Sequence, residues 1–187
     1  LARTDPSLAI TALDLSRASL AYGARVAEQL GLDRVRFVQG DILALEPDMG
    51  PFDVVVSTGV LHHMARPQDG LARLAGVLRS GGVVRLALYS ERARAPIRRA
   101  HALIRERGWT ASKAGIRSFR AHVLASPDDD PLAALRTSDD FYSLSGCRDL
   151  VFHVQEHRYT PPQLGDLLAQ APDQGGLGLG PTITSVI

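Results

Sequence analysis

Two aspartates, a Ser-Thr-Gly turn and a histidine pair are the residues of this sequence best placed to do chemistry. Asp14 closes the apolar run 8–13, Asp41 follows the run 35–39, Ser57-Thr58-Gly59 ends the run 52–57, and His62-His63 comes just after. An ionised carboxylate only accepts hydrogen bonds. Asp14 could therefore take both hydroxyls of a ribose, at roughly 1.5–3 kcal/mol for each charge-assisted bond. Asp41 could accept from an exocyclic amine such as that of adenine. Either could instead cap the turn or helix that follows it. His62 and His63 invite a general-base or a metal reading, and packing of the loop competes with both. Adjacent side chains at a helix start point in different directions, and no nearby acid completes a zinc spacing, so no metal site is expected. Tyr89-Ser90, ending a further apolar run, could contact substrate or simply pack.

For such residues to meet one ligand, strands must deliver them to one edge of a sheet. Residues 1–90 alternate β-branched runs with amphipathic stretches, the pattern of parallel α/β folds. Residues 8–13 read as a strand. Ser16 is placed to cap a helix over 17–30 that carries Leu20, Ala24, Ala27 and Leu30 on one face, with Gly31 just past its end. Strands follow at 35–39 and 52–57, the second apolar enough to be covered on both faces. A helix over 67–79 should turn Leu71, Leu74 and Leu78 inward, Gly81-Gly82 should end it, and 83–89 is a fourth strand. Helices are then expected over 96–107, 112–124 and 160–170, the last opened by Pro161-Pro162. About sixty residues separate the fourth strand from the next α/β-like element, too many for an ordinary connection and suited to covering a site.

The chain has 187 residues, 45% hydrophobic and 22% charged, with 17 Gly and 11 Pro. That suits a globular domain and excludes a disordered or fibrous chain. With 21 basic and 20 acidic residues the net charge is +1 and names no partner. Residues 92–120 nevertheless hold eight Arg and Lys113 against Glu106 alone. Such a stretch could contact RNA phosphates. It has only Trp109 and Phe119 for aromatics, so a solvated helical face, neutralised by the acidic residues from Asp128 to Asp140, is preferred. The one cysteine, Cys147, excludes an internal disulfide and a cysteine zinc site. Apolar runs are too short to span a membrane and no secretory signal is visible, so no membrane partner and a cytoplasmic location are expected. Gly176, Gly178 and Gly180 lack the flanking strand and helix of a dinucleotide loop and read as a flexible loop. His153, Glu156 and His157 suit an extended segment near substrate better than a metal site.

Four stretches occur in order: Ala-Leu-Asp14-Leu-Ser, Val-Arg-Phe-Val-Gln-Gly-Asp41-Ile-Leu, Phe-Asp-Val-Val-Val-Ser57-Thr-Gly-Val-Leu-His62-His63-Met and Leu78-Arg-Ser-Gly-Gly-Val. Over roughly residues 1–90 the sequence resembles the class I S-adenosylmethionine-dependent methyltransferases. The resemblance implies an α/β fold with a doubly wound, Rossmann-like sheet, a helical lid over 91–160, and a closing helix and core edge over 161–187. S-adenosylmethionine would be the cofactor. Asp14 with Leu15 would hold its ribose, Asp41 would lie near the adenine with Ile42 packed on the ring, and Ser57, Thr58 and Gly59 would line the methyl-donor end. His62 and His63 would be the candidates for catalysis. Residues 140–163 are similar to a segment of bacterial methyltransferases often fused to tetratricopeptide repeats, which suggests such a fusion here.

The family's first strand and Gly-rich turn have no counterpart within the chain. The resemblance thus implies a core lacking that strand, poor in cofactor binding and activity by itself. The acceptor is unidentified, a small molecule or protein being favoured over RNA. An alternative is a non-catalytic protein-interaction module that keeps the fold. A nicotinamide-dependent oxidoreductase fits less well, because its pattern does not call for the second acid at Asp41.

Overall fold

A computed structural model describes residues 2–170 apart from Pro6 and Val154. The glycine string at 176–180, and the part of the expected closing segment beyond 170, lie outside the described residues. The described chain forms two units, 2–55 with 68–84 and 56–67 with 85–170.

In the first unit the strand–helix–strand order is set by local signals. Strand β1 (Ile10–Asp14) leads to helix α1 (Arg17–Gln29), which the Ser16 hydroxyl starts by accepting from Ser19 N at 3.2 Å. Gly31 takes φ 63° just past the helix end, where a side chain would be strained. Strand β2 (Val35–Gln39) then runs parallel to β1, with Ile10 opposite Val35 and Asp14 opposite Gln39. Helix and strand meet closely at Gly23, where an added Cβ would come within 2.8 Å of the Phe37 ring.

Strand β3 (Phe52–Thr58), helix α2 (Pro67–Gly76) and strand β4 (Leu78–Ala87) repeat the order, and β3 pairs with β4. Two expectations need correcting here. The helix expected over 67–79 stops at Gly76, and the strand starts at Leu78, not at residue 83. Phe52 N donates to Val77 O at 2.8 Å and Arg79 binds Asp53 at 2.5 Å. A helix continued through Arg79 would forfeit both contacts, so cross-strand pairing overrides helical periodicity. Gly81-Gly82 lies inside β4, with Gly81 at φ 73°. Leu71 and Leu74 are buried as expected, whereas Leu78 is only half-buried. Nor is β3 covered on both faces: Val55 and Ser57 are buried, but Val54 is 56% and Val56 43% exposed. Its apolar run therefore alternates like a strand buried on one side.

The second unit is mostly helical. Helices α3 (Ala95–Glu106), α4 (Lys113–Ala125) and α5 (Leu144–Val151), with a 3-10 stretch Pro131–Thr137, enclose Ala100, Ile116, Phe119, Val123, Phe141 and Cys147, each fully buried. Burial pushes the Cys147 thiol up to about 11. Ser112 caps α4 by accepting from Gly115 N at 3.1 Å. The other end of α4 is closed by Arg136, which donates to Val123 O at 3.0 and 2.9 Å and to Ser126 O. Arg136 also binds Asp128 at 2.7 Å, and Asp130 accepts from Leu132 N at 2.8 Å. Asp128 and Asp130 thus serve local turns.

Two short strands, β5 (Tyr89–Ser90) and β6 (Arg158–Tyr159), pair in parallel before α6 (Pro161–Ala169), where Gln163 accepts from Thr160 N at 2.9 Å. The architecture is mixed α/β with parallel strand pairs, in three two-stranded sheets among the described residues. No described helix is long and apolar enough to cross a membrane. Phe119→Ala should lower unfolding stability by about 3–5 kcal/mol, the cost of a large core cavity, measurable by urea denaturation.

Candidate functional site

Asp14 and Asp41 end up at the same edge of the first unit. Asp14 closes β1, Gly40 N donates to Asp14 O at 3.2 Å, and Asp41 follows directly. Each carboxylate spends one oxygen locally: Asp14 Oδ1 accepts from Ser16 N at 2.8 Å and Asp41 Oδ1 from Leu43 N at 2.9 Å. Both side chains are exposed, and the second oxygen of each has no hydrogen bond among the described residues. The capping and ligand-binding readings are therefore compatible. One oxygen fixes the carboxylate and the other is left to accept. Leu15 beside Asp14 is 67% exposed and Ile42 beside Asp41 is half-buried, so apolar contact area accompanies the acceptors. This set of acceptors suits a nucleoside, whose hydroxyls and exocyclic amine all donate.

In the second unit Ser57 is buried and its hydroxyl has no partner among the described residues. Thr58 is exposed, and Gly59 turns the chain at φ 76° with open space where a Cβ would stand. A 3-10 turn, Leu61–His63, then places the two histidines in different surroundings. His62 is 1% exposed, and its ring stacks on Tyr89 at 3.7 Å between centroids. Neither ring nitrogen has a hydrogen-bond partner among the described residues. Burial, helped by the neighbouring His63, pulls its pKa down to about 4 against a smaller opposing effect of Glu156. His62 is a neutral ring at pH 7.

His63 differs. Its Nδ1 lies 3.0 Å from Gln155 O, and a carbonyl can only accept, so Nδ1 carries the proton. The lone pair is then on Nε2, the arrangement a general base needs. His63 stacks on His153 at 4.4 Å, while His157 N donates to His62 O at 2.8 Å and Gln155 Nε2 to Met64 O at 3.2 Å. The segment around 153–157 thus meets both histidines. No group of three or more His, Cys, Asp or Glu among the described residues is arranged to hold a metal.

That segment is anchored by charges. The Glu156 side chain, 2% exposed, accepts from Arg94 through both oxygens and from Arg158 at 3.5 Å. Arg158 also binds Glu91 at 3.0 Å, and Arg98 binds Glu91 at 2.7 Å. The Arg94 guanidinium lies 3.9 Å from the centre of the Tyr89 ring. Read from sequence as part of a solvated face, Arg94 is instead 11% exposed and structural. Its partner lies 62 positions away, so no local pattern could have shown the pairing.

Comparison with known proteins agrees with this geometry. Residues 1–82 match the model of a family described as methyltransferase domain. Over residues 1–82 the chain is thus similar to methyltransferase domains. An uncharacterized protein of Synechococcus sp. is 32% identical to the chain over 173 residues, covering 88% of this chain and 41% of that protein. The ubiquinone biosynthesis O-methyltransferase of Caulobacter vibrioides is 36% identical over 80 residues, covering 42% of this chain and 31% of that protein. PKMT2 from Rickettsia typhi has the same fold, with a TM-score of 0.71 at 17% identity over 90% of this chain and 35% of its own. It has also been solved in complex with AdoHcy. The chain thus spans less than half the length of these relatives, and its fold is Rossmann-like.

The methyltransferase fold has a measurable acid weakness at His62. Its folded pKa, about 4, lies below the ordinary 6.5, so the fold favours the neutral ring. Stability is unaffected above pH 6.5 and falls as pH drops toward 4, by on the order of 3 kcal/mol. His62→Phe should remove most of that loss, leaving a smaller one from His101, whose pKa burial also lowers. Urea denaturation at pH 7 and pH 4.5 checks this.

Proposed function

We propose that the complete protein transfers a methyl group from S-adenosylmethionine to a nucleophile on an acceptor. The observation that carries this is the pair of strand-end carboxylates in the family-matched segment, each with one oxygen fixed and one unspent. Asp14 accepts from the ribose hydroxyls and Asp41 from the adenine amine, with Leu15 and Ile42 giving apolar contact. Ser57, Thr58 and Gly59 line the methyl-donor end. Ser57 brings an unpartnered hydroxyl and Gly59 a turn that leaves space. When bound, S-adenosylmethionine supplies a methyl group on a positively charged sulfur, open to in-line displacement.

His63 removes the proton of the attacking group through Nε2. A positioned base of this kind is worth about 10²–10⁴-fold where the nucleophile must be deprotonated. His62 supports it as a buried ring that carries no charge. Residues 91–160 act as the cover that selects the acceptor, which is a small molecule or a protein. RNA is disfavoured because Arg94 and Arg98 are committed to ion pairs.

Calorimetric titration of the complete protein tests the reading. Asp14→Ala should weaken S-adenosylmethionine binding by about 10- to 100-fold, as expected for losing charge-assisted bonds. Asp14→Asn keeps an oxygen for Ser16 N and separates lost binding from a disturbed helix start. Unchanged affinity in both variants would remove Asp14 from the site.

A further inference from the structure

One cavity of about 380 Å³ lies in the second unit, between α3 and the chain that follows α5. Its walls include His101 and Arg105, one turn apart on α3, and Phe152, His153, Glu156 and Arg158 opposite. That size falls within the range of small-molecule sites, which combine an apolar surface with a few placed polar groups.

The charges around it do not balance. Glu156 and Glu91 supply two carboxylates, and Arg94, Arg98 and Arg158 supply three guanidiniums bound to them. Arg105 adds a fourth. It is exposed and has no hydrogen bond or ion pair among the described residues. His101 Nε2 is buried without a partner. Arg158, Arg94 and Arg105 act electrostatically on that ring against Glu156, whose effect is the largest of the four. Glu156 offers a ligand little, because its side chain is 2% exposed and both oxygens already accept from arginine. The free positive group is Arg105.

A single uncommitted guanidinium offers one planar fork, which matches a carboxylate through two parallel bonds. A phosphate could use the same fork, but its second charge would find no further uncommitted guanidinium among the described lining residues, so a singly charged carboxylate suits the site better. Phe152 provides an apolar face for the body of the ligand. His153 lines the same cavity and stacks on His63 at 4.4 Å, so one ring is shared by the cavity and the candidate base.

We propose that this cavity binds the carboxylate end of the methyl acceptor, a small molecule with an apolar body, through Arg105. The claim about the acceptor rests on the methyl-transfer reading; the claim about the carboxylate does not. A bound carboxylate hydrogen-bonds Arg105 and lies along Phe152 with its far end beside His153 and His63. Other anions without an apolar body gain only the charge contact.

The test is binding to the complete protein, followed by calorimetry and by the NMR signal of the His101 ring. The probes are 3-phenylpropanoate, its amine counterpart 3-phenylpropylamine, and phenyl phosphate. 3-Phenylpropanoate should bind about tenfold or more tightly than the amine, and Arg105→Gln should remove about the same factor, as one charge-assisted contact is worth. Arg105 is exposed, so this variant should fold normally, which circular dichroism checks. Binding should also raise the pH midpoint of His101, because an added anion favours the charged ring. Failure of the carboxylate to bind, equal binding of the amine, preference for the phosphate, or indifference to Arg105→Gln would each overturn the proposal. S-adenosylmethionine binding is titrated in parallel. Its absence would sink the methyl-transfer reading and leave the carboxylate site to be judged by its own probes.

Discussion

The Glu156 carboxylate is nearly out of water, and much of the helical unit can be understood as what keeps it ionised there. Burial alone would push its pKa up, but the hydrogen bond and charge of Arg94, with Arg158, more than reverse this. An ion taken from water costs several kcal/mol unless its partners approach well. The partners come from two places, the start of α3 and strand β6, so meeting the carboxylate draws these elements together. Arg94 also covers the Tyr89 ring, and Tyr89 covers His62. One buried charge thus sets the position of the residues stacked below the candidate base. Removing either arginine would leave that charge poorly compensated and loosen β6 from β5.

Signals confined to neighbouring residues were legible. Ser16 and Gly31 were placed correctly because a cap or a left-handed turn is decided within about four residues. The order of strands and helices was legible for the same reason. Two of the differences involve distant partners. The end of α2 depends on Phe52 and Asp53, more than twenty residues earlier, which bind Val77 and Arg79. The role of Arg94 depends on Glu156. The acidic stretch looked like a counterweight to the arginines because charge was counted by segment, whereas Asp128 and Asp130 are used within ten residues of themselves. At the histidine pair the residue types were legible, but their division into one buried ring and one oriented ring was not. That division depends on Gln155 and Tyr89.

The aspartates show why structural and functional readings of a residue need not compete. A carboxylate has two oxygens, and a turn needs only one. The bond to Ser16 N or Leu43 N stops the side chain from rotating, so the remaining oxygen waits in a fixed direction. A ligand that uses it need not bear the entropy of ordering a free side chain. His63 follows the same logic, since its bond to Gln155 O chooses the tautomer beforehand.

Cys147 gives the helical unit a built-in reporter. Its thiol is wholly buried, and burial also keeps it protonated. A thiol reagent can reach it only when the helices part, and only the thiolate formed on exposure reacts. With reagent in excess, the trapping rate measures how often that core opens, independently of the strand pairs of the first unit. The same seclusion protects the chain's one cysteine from oxidation, because peroxide also attacks the thiolate.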